Sequence, residues 1–130
     1  MEFGYTKLKQ TKRAFRIWIE GNKLARNGFD TNQEFRAYYF PSFIRLISKN
    51  FYIKEGYRSF EKLYRTTGHD IKNTIHIANL QVAGAKRNGS HRPIIDLHNQ
   101  KVGEVFKPNQ LIKIIYENKS ITIIGATNDE

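Results

Sequence analysis

The sequence matches itself at a fixed spacing of 77 residues, and this internal repeat limits the folds open to the chain. Residues 16–47 and 93–124 resemble each other in the order of their apolar, polar and turn-forming positions, although few matches are identities. Such a repeat predicts two copies of one structural unit. The matched pairs are Phe29 with Phe106, Asn32 with Asn109, Gln33 with Gln110, Phe35 with Ile112, Ala37 with Ile114, Ile44 with Ile121, and Leu46 with Ile123.

Each copy is about 35 residues long, and a unit of that size buries too little apolar surface to be stable alone. We therefore expect the two copies to pack against each other within one chain. They would form a pseudo-two-fold pair, equivalent to a homodimer whose subunits are covalently joined. The predicted class is mainly β with short helices, an α+β fold.

Each copy begins with a run that predicts a strand with one buried face. These runs are Phe15, Ile17 and Ile19 in the first copy and 94–97 in the second. A short polar segment follows and leaves room for one or two helical turns. In the first copy Gly28 suits the left-handed position that ends a helix. Phe29 or Phe106 would then fill the core.

A pair of strands joined by a turn follows each of these phenylalanines. Alternation predicts strands over 33–39 and 43–48 in the first copy, and over 110–116 and 121–126 in the second. Pro41 has no N–H for a sheet ladder, so it suits the first connection. The polar residues 117–120 predict a four-residue hairpin loop in the second copy.

This order of a strand, the spacing G-x-x-L-x-x-x-G-F and a hairpin resembles the SymE-type and AbrB-type swapped-hairpin family. The resemblance covers residues 13–48 and 91–126. The second copy departs from the pattern, because Val105 stands where Gly28 would align and a one-residue slip is needed to place Val102 under Leu24. The matching residues are Gly21, Leu24, Gly28, Phe29 and the strand 44–47 in the first copy, and Val102, Phe106, Asn109 and the strand 121–124 in the second.

The resemblance implies two degenerate swapped-hairpin-like halves that form a pseudo-dimeric β-barrel. Members of that superfamily are commonly dimeric DNA-binding transcription regulators, often antitoxins, whereas SymE-like proteins are toxins associated with RNA or nucleic-acid binding. It thus implies a nucleic-acid partner and leaves DNA or RNA open. The expected organisation is 1–48 as a first half with a basic N-terminal arm, 49–92 as a connecting segment, and 93–130 as a second half.

The connecting segment 49–92 belongs to neither copy. Helical spacing of aromatic and apolar residues over 57–64 predicts a short amphipathic helix, and alternation over 73–82 predicts an extra strand. The basic stretch 84–93 contains two glycines besides its proline, which predicts a loop. That loop suits a flexible linker and a phosphate-tracking segment equally well.

Positive charge is concentrated in residues 1–65. The net charge is +10, and this part holds 14 basic and 6 acidic side chains against 8 and 6 in residues 66–130. It also holds 15 of the 17 aromatic residues. A concentrated positive field attracts nucleic acid, whereas a solvated basic surface is the alternative. The candidate nucleic-acid-binding residues are Lys7, Lys9, Lys12, Arg13, Arg16, Lys23, Arg26, Lys86, Arg87 and Arg92.

Composition excludes several kinds of site. The chain has no cysteine, so disulfides, thiolate zinc sites and cysteine nucleophiles are ruled out. No stretch approaches the roughly 20 apolar residues of a spanning helix, and the N-terminus lacks the apolar core of a signal peptide. We therefore expect a cytoplasmic protein without a membrane partner.

No nucleotide-binding, hydrolase or metalloprotease motif appears in the sequence. His69, His76, His91 and His98 form no recognisable catalytic or metal-binding arrangement. We expect them to be surface or hydrogen-bonding residues, and we predict no catalytic residues, no metal and no cofactor. A metal-free ribonuclease is the minor alternative.

The leading hypothesis is a nucleic-acid-binding protein, either a DNA-binding regulator or a SymE-like, toxin-related protein. Its mechanism would be phosphate neutralisation, and a homodimer is compatible with it. The alternative is a phage or mobile-element protein that binds and inhibits a host protein through its basic aromatic face. The rings of Trp18, Tyr38, Tyr39, Phe40 and Phe43 fit either a stacking platform for unpaired bases or the core.

Overall fold

The computed structural model describes residues 1–12, 14–49, 73–87 and 90–126. They form ten strands and two short helices, neither of which is long or apolar enough to cross a membrane. In chain order the elements are β1 (Glu2–Lys7), β2 (Lys9–Gln10), β3 (Phe15–Glu20), α1 (Asn22–Arg26), β4 (Glu34–Tyr39), β5 (Phe43–Ser48), β6 (His76–Gln81), β7 (Ala83–Arg87), β8 (Ser90–Asn99), α2 (Val102–Val105), β9 (Leu111–Glu117) and β10 (Ser120–Gly125).

The strands form two antiparallel sheets, which confirms the predicted class of mainly β with short helices. One sheet has six strands in the order β1-β9-β10-β5-β4-β6, and the other has four in the order β2-β3-β8-β7. Among the described residues, the strand pairings leave both sheets open at their edges. The chain passes from the larger sheet to the smaller one twice, at Leu8 between β1 and β2 and at Val82 between β6 and β7.

Strand registers correspond between the two parts of the chain. β6 begins 74 residues after β1, at His76 and Glu2, and β9 begins 77 residues after β4, at Leu111 and Glu34. The pairing of Lys7 with Leu111 at one edge of the six-stranded sheet corresponds to that of Gln81 with Glu34 at the other edge. In the middle of the two sheets, β5 pairs with β10 and β3 pairs with β8. The strand order of each sheet is therefore symmetric about its middle. In the six-stranded sheet β1, β9 and β10 correspond to β6, β4 and β5, and in the four-stranded sheet β2 and β3 correspond to β7 and β8.

A single core lies between the two sheets. Ile17 and Ile19 of β3 alternate with outward-facing residues, as the period of two requires, and they share one buried cluster with Ile44 and Leu46 of β5. Phe29 and Phe106 are both buried in this cluster, which confirms their predicted role. Each follows a helix in the same way, because Phe29 N donates to Leu24 O at 2.9 Å and Phe106 N donates to Val102 O at 3.0 Å.

The predicted helix end and the first turn are confirmed. Gly28 has a φ of +90° directly after α1, and a Cβ there would lie 2.9 Å from Lys119 Cγ. Pro41 lies in the connection between β4 and β5. The predicted four-residue loop 117–120 is too long, because Glu117 and Ser120 pair across the hairpin and only Asn118 and Lys119 form the turn.

Within the connecting segment, the extra strand predicted over 73–82 is confirmed as β6. The helix predicted over 57–64 lies outside the described residues. The loop predicted over 84–93 is wrong, because β7 and β8 form a hairpin there in which Gly84 pairs with Pro93. Gly84 is needed for packing and not for a turn, since a Cβ would lie 2.7 Å from Thr31 Cγ2.

Candidate nucleic-acid interface

The backbone around Leu8 brings two distant segments together. Leu8 is buried, its N–H donates to Gln110 O at 3.1 Å, and its carbonyl accepts from Asn109 N at 3.1 Å. Asn109 adopts a left-handed φ of +64°, which asparagine tolerates better than most residues. We call this site, comprising residues 7–9 and the loop 107–110, the Leu8 corner.

The buried Leu8 leaves its neighbours exposed. Lys7 and Lys9 lie on either side of it at the corner, and Lys107 lies in the loop that binds Leu8. Lys12 is exposed just beyond β2. In the described part of the chain, none of these four lysine side chains forms a hydrogen bond or an ion pair. The corner therefore presents unpaired positive charge to solvent.

Lys107 was not among the candidates named from the sequence. It reaches the corner through hydrogen bonds between residues about a hundred positions apart, which single-sequence periodicity does not reveal. In the sequence, the match between Asn109 and Asn32 indicates a turn in the loop that holds Lys107. That match does not indicate that the loop binds Leu8.

Arg16 continues the basic surface onto the outer face of the four-stranded sheet. It pairs with Lys9 across β2 and β3, so the two side chains lie on the same face. Its Nε lies 3.0 Å from Asp96 Oδ1, and the two side chains form an ion pair. The N–H does not point at the oxygen well enough for a hydrogen bond. Arg16 is therefore held in place, and about a third of its side chain, 35%, is exposed.

A hydrogen-bond network fixes the ring of His98 beside Arg16. The guanidinium Nη2 donates to His98 Nδ1 at 3.3 Å, because arginine has no acceptor. The proton must then lie on Nε2, which donates to Thr11 Oγ1 at 3.1 Å. The Thr11 hydroxyl in turn donates to Ala14 O at 3.0 Å. This hydrogen-bonding role for His98 agrees with the one expected from the sequence.

Beyond Arg16 lies a cleft between β1, β3 and α1, which we call the Trp18 cleft. It has a volume of about 490 Å³, and Trp18 at its rim is 38% exposed. The guanidinium of Arg16 lies 5.8 Å from the centroid of the Trp18 ring. The residues that line the cleft include Gly4, Trp18, Glu20, Lys23, Arg26 and Tyr116.

The two cations of the cleft are positioned by residues of β1 and β9. Lys23 Nζ donates to Phe3 O at 2.6 Å and lies 5.9 Å from the centroid of the Tyr116 ring. Arg26 donates to Glu2 Oε1 at 2.7 Å, and this hydrogen bond is the main reason that the pKa of Glu2 is lowered. Burial, aided by the charge of Glu2, raises the pKa of Tyr116.

The remaining candidates do not join this surface. Lys86, Arg87 and Arg92 lie on β7 and β8, and β7 is the edge of the four-stranded sheet opposite β2. Arg13 lies outside the described residues. The structure thus brings together Lys7, Lys9, Lys12 and Arg16, places Lys23 and Arg26 beside them, and separates the other three described candidates.

Most of the aromatic platform considered from the sequence is buried. Tyr38, Tyr39 and Phe40 have almost no exposed surface, and Phe43 stacks on Phe40 at a centroid distance of 4.4 Å. Tyr39 belongs to the core, where its hydroxyl accepts a hydrogen bond from Asn99 Nδ2 at 3.0 Å. Of these rings only Trp18 is exposed enough to meet a base.

Comparisons with protein-family models, curated proteins and solved structures find no match to this chain. Within the described ranges, no group of three or more histidine, aspartate or glutamate side chains is arranged to hold a metal ion.

Proposed function

We propose that the protein is a cytoplasmic nucleic-acid-binding protein that docks phosphates at the Leu8 corner and along Arg16. Within this proposal the chain is a fused pair of swapped-hairpin-like halves that form a pseudo-dimeric barrel, and it acts as a DNA-binding regulator or a SymE-like, toxin-related protein. The matching strand registers support the first part, and so do the two crossings between sheets, at Leu8 and Val82.

The observation that carries the functional proposal is a difference in charge between two equivalent corners. Val82 is buried like Leu8, its N–H donates to Gln33 O at 2.9 Å, and its carbonyl accepts from Asn32 N at 2.9 Å. Asn32 has a φ of +69°, close to that of Asn109. We call residues 81–83 with the loop 30–33 the Val82 corner.

The two corners carry different side chains on this shared backbone. The positions of the three lysines in the Leu8 corner are occupied in the Val82 corner by Gln81, Ala83 and Asp30. These positions correspond because the β1–β9 register matches the β6–β4 register. Lysine is therefore not needed to form such a corner. Positive charge gathered there without acidic partners fits a site for an anionic polymer. The corresponding pairs are Lys7 with Gln81, Lys9 with Ala83, and Lys107 with Asp30.

Lysines that neutralise phosphates release condensed counterions, so their contribution is measured by the salt dependence of binding. Contacts of this kind position a protein on nucleic acid without reading its sequence. Arg16 extends the surface beyond the corner, and its planar guanidinium can bind phosphate with two parallel hydrogen bonds.

The test converts the Leu8 corner into its counterpart. In the double variant Lys7→Gln, Lys9→Ala, the new residues are those that the Val82 corner carries, so the fold should be retained. The control Lys49→Gln, Lys101→Gln removes the same charge from residues paired with Glu34 and Glu104. Both variants lower the formal net charge from +10 to +8.

Binding is measured by fluorescence anisotropy on duplex DNA, single-stranded DNA and structured RNA across a salt series. We expect the corner variant to bind more weakly and its log–log salt slope to be shallower by about two, one for each lost phosphate contact. The control should stay close to the parent chain. Equal losses in both variants, or none in either, would refute the assignment of this surface.

Weak binding of the parent chain to all three polymers that disappears at modest salt would refute nucleic-acid binding itself. The basic aromatic surface would then be assigned to a protein partner. In that case a host protein should co-purify and survive nuclease and high salt.

A further inference from the structure

We propose that the Trp18 cleft holds one unpaired nucleotide, with its base stacked on Trp18 and its phosphates facing the cations around the cleft. This inference rests on the proposed function and narrows it to polymers with unpaired bases. The cleft has no local sequence signature, because it arises where two strands separate.

The cleft exists because β1 and β3 separate. β3 pairs with β2 only at Phe15 and Arg16, and β1 turns away at Leu8 to pair with β9. From Ile17 to Glu20, the β3 edge that faces β1 has no strand partner among the described residues. An open sheet edge of this kind leaves backbone N–H and carbonyl groups available to a ligand.

Gly4 lets the Tyr116 ring lie close against β1 at the floor of the cleft. It lies in β1, and a Cβ at this position would come within 3.3 Å of the Tyr116 ring. A glycine inside a strand has no side chain to pack and often indicates a close approach of another group. Here that group is the Tyr116 ring, so a side chain at position 4 would press against the ring that lines the cleft.

The lining combines the groups that a nucleotide requires. The exposed Trp18 ring offers a face for stacking, which is the sequence-tolerant part of single-strand recognition. Arg16 lies on one side of the ring, and Lys23 and Arg26 lie across the cleft, each with donors beyond those used in its internal contact. The carboxylate of Glu20 adds an acceptor for amino or hydroxyl groups.

A duplex does not satisfy this site, because its bases are already stacked and paired. A volume of about 490 Å³ lies within the range of small-ligand clefts and admits a single nucleotide. The cleft is also continuous with the Leu8 corner, since Lys9 pairs with Arg16 and Trp18 follows two residues later on the same face. A strand held at the corner can therefore reach Trp18.

The positions that correspond to these residues by register lack the same groups. Asp96, which pairs with Trp18 between β3 and β8, is also its counterpart by register. Ala78 corresponds to Gly4 and Glu104 to Arg26. We therefore expect one such site in each chain.

Trp18 is the only tryptophan in the chain, so intrinsic fluorescence reports directly on the cleft. The probes are a mononucleotide, a short single-stranded oligonucleotide and a duplex of the same sequence, each titrated into the full chain. We expect quenching by the single strand and little change with the duplex. Quenching by the mononucleotide at similar concentration would support the cleft and identify a free nucleotide as sufficient.

Variants separate the cleft from the corner. Trp18→Ala should weaken single-strand binding by anisotropy roughly tenfold or more, as expected for the loss of one stacked base, and leave duplex binding unchanged. Gly4→Val should have the same effect by pressing against the Tyr116 ring and altering the floor of the cleft, without removing a ring or a charge. Phe3→Ala is the matched control, because Phe3 is 43% exposed on β1 and does not line the cleft.

Two results would overturn the inference while leaving the proposed function intact. One is single-strand binding by anisotropy with no change in Trp18 fluorescence. The other is an equal loss of duplex and single-strand binding in Trp18→Ala. Absence of any binding by anisotropy would instead refute both proposals.

Discussion

The Leu8 and Val82 corners have the same hydrogen bonds around a buried aliphatic residue and carry opposite charge. Each uses an asparagine in the left-handed region, Asn109 or Asn32, to turn a loop back onto the chain. The buried aliphatic residue, the hydrogen bonds and the left-handed asparagine occur in both corners, so the backbone requires them. The lysines occur only in the Leu8 corner, so they are available to bind a partner. Each corner thus acts as a control for the other.

Among corresponding positions, the largest difference in stability is expected between the buried phenylalanines Phe29 and Phe106. Phe29 meets Phe35 edge-to-face at a centroid distance of 5.9 Å, whereas the counterpart of Phe35 near Phe106 is Ile112. Phe29→Ala and Phe106→Ala should each cost about 3–5 kcal/mol. The first should cost about 0.5–1.5 kcal/mol more, because it also removes an aromatic pair. Urea denaturation with unchanged m-values measures both. An equal or reversed order would show that the ring pair adds nothing.

A second comparison concerns Tyr39 and Tyr116, which occupy corresponding positions in β4 and β9. Burial raises the pKa of both phenols above the ordinary value of about 10. The folded state therefore binds these protons more tightly than the unfolded state. The contribution of these two phenols to stability should be constant below about pH 10 and should fall as the pH rises through their folded-state pKa values.

Replacement of these tyrosines by phenylalanine tests that dependence. The double variant Tyr39→Phe, Tyr116→Phe should unfold with a flatter profile above about pH 10 by denaturant titration. At neutral pH, Tyr39→Phe should cost more than Tyr116→Phe, since it leaves the Asn99 amide without its acceptor. An alkaline profile unchanged by both substitutions would assign the pH dependence to other groups.

The smallest effect on stability is expected at the ion pair of Glu2 with Arg26. The corresponding positions hold His76 and Glu104, so this pair has no equivalent there. The pKa of Glu2 is lowered mainly by its hydrogen bond with Arg26, so the pair contributes stability above the ordinary carboxyl pKa. That contribution is lost as the pH falls through the lowered pKa. Glu2→Gln should lower Tm slightly at neutral pH, since exposed pairs contribute little. The difference should vanish in acid, and its persistence there would contradict the ionic explanation.

Much of the strand pattern follows from local periodicity, which is why the elements over 33–48 and the buried Phe29 and Phe106 were predicted. The loop prediction for 84–93 is wrong because glycine and proline are turn signals only when their neighbours in space are unknown. In the folded protein Gly84 admits Thr31, and Pro93 contributes a carbonyl to Gly21 N at 3.2 Å. Such roles depend on neighbours that are distant in sequence.

The candidate site was predicted only in part, for the same reason. Lys7, Lys9 and Arg16 could be named because charge and spacing are local properties. The place of Lys107 at the corner and the cleft beside Trp18 both depend on where β1 leaves one sheet for the other. No periodicity within a single segment carries that information.

The pairing of β1 with β9 also has a consequence for biosynthesis. Glu2 lies opposite Tyr116, so β1 finds its partner only after the roughly one hundred residues between the two strands have been synthesised. Contacts of such long sequence separation slow folding, because loop-closure entropy must be overcome before they form. Until then β1 presents an unpaired edge with Phe3 and Tyr5 exposed, and such edges can associate with other chains. We expect the nascent protein to depend on rapid synthesis of the β9–β10 hairpin.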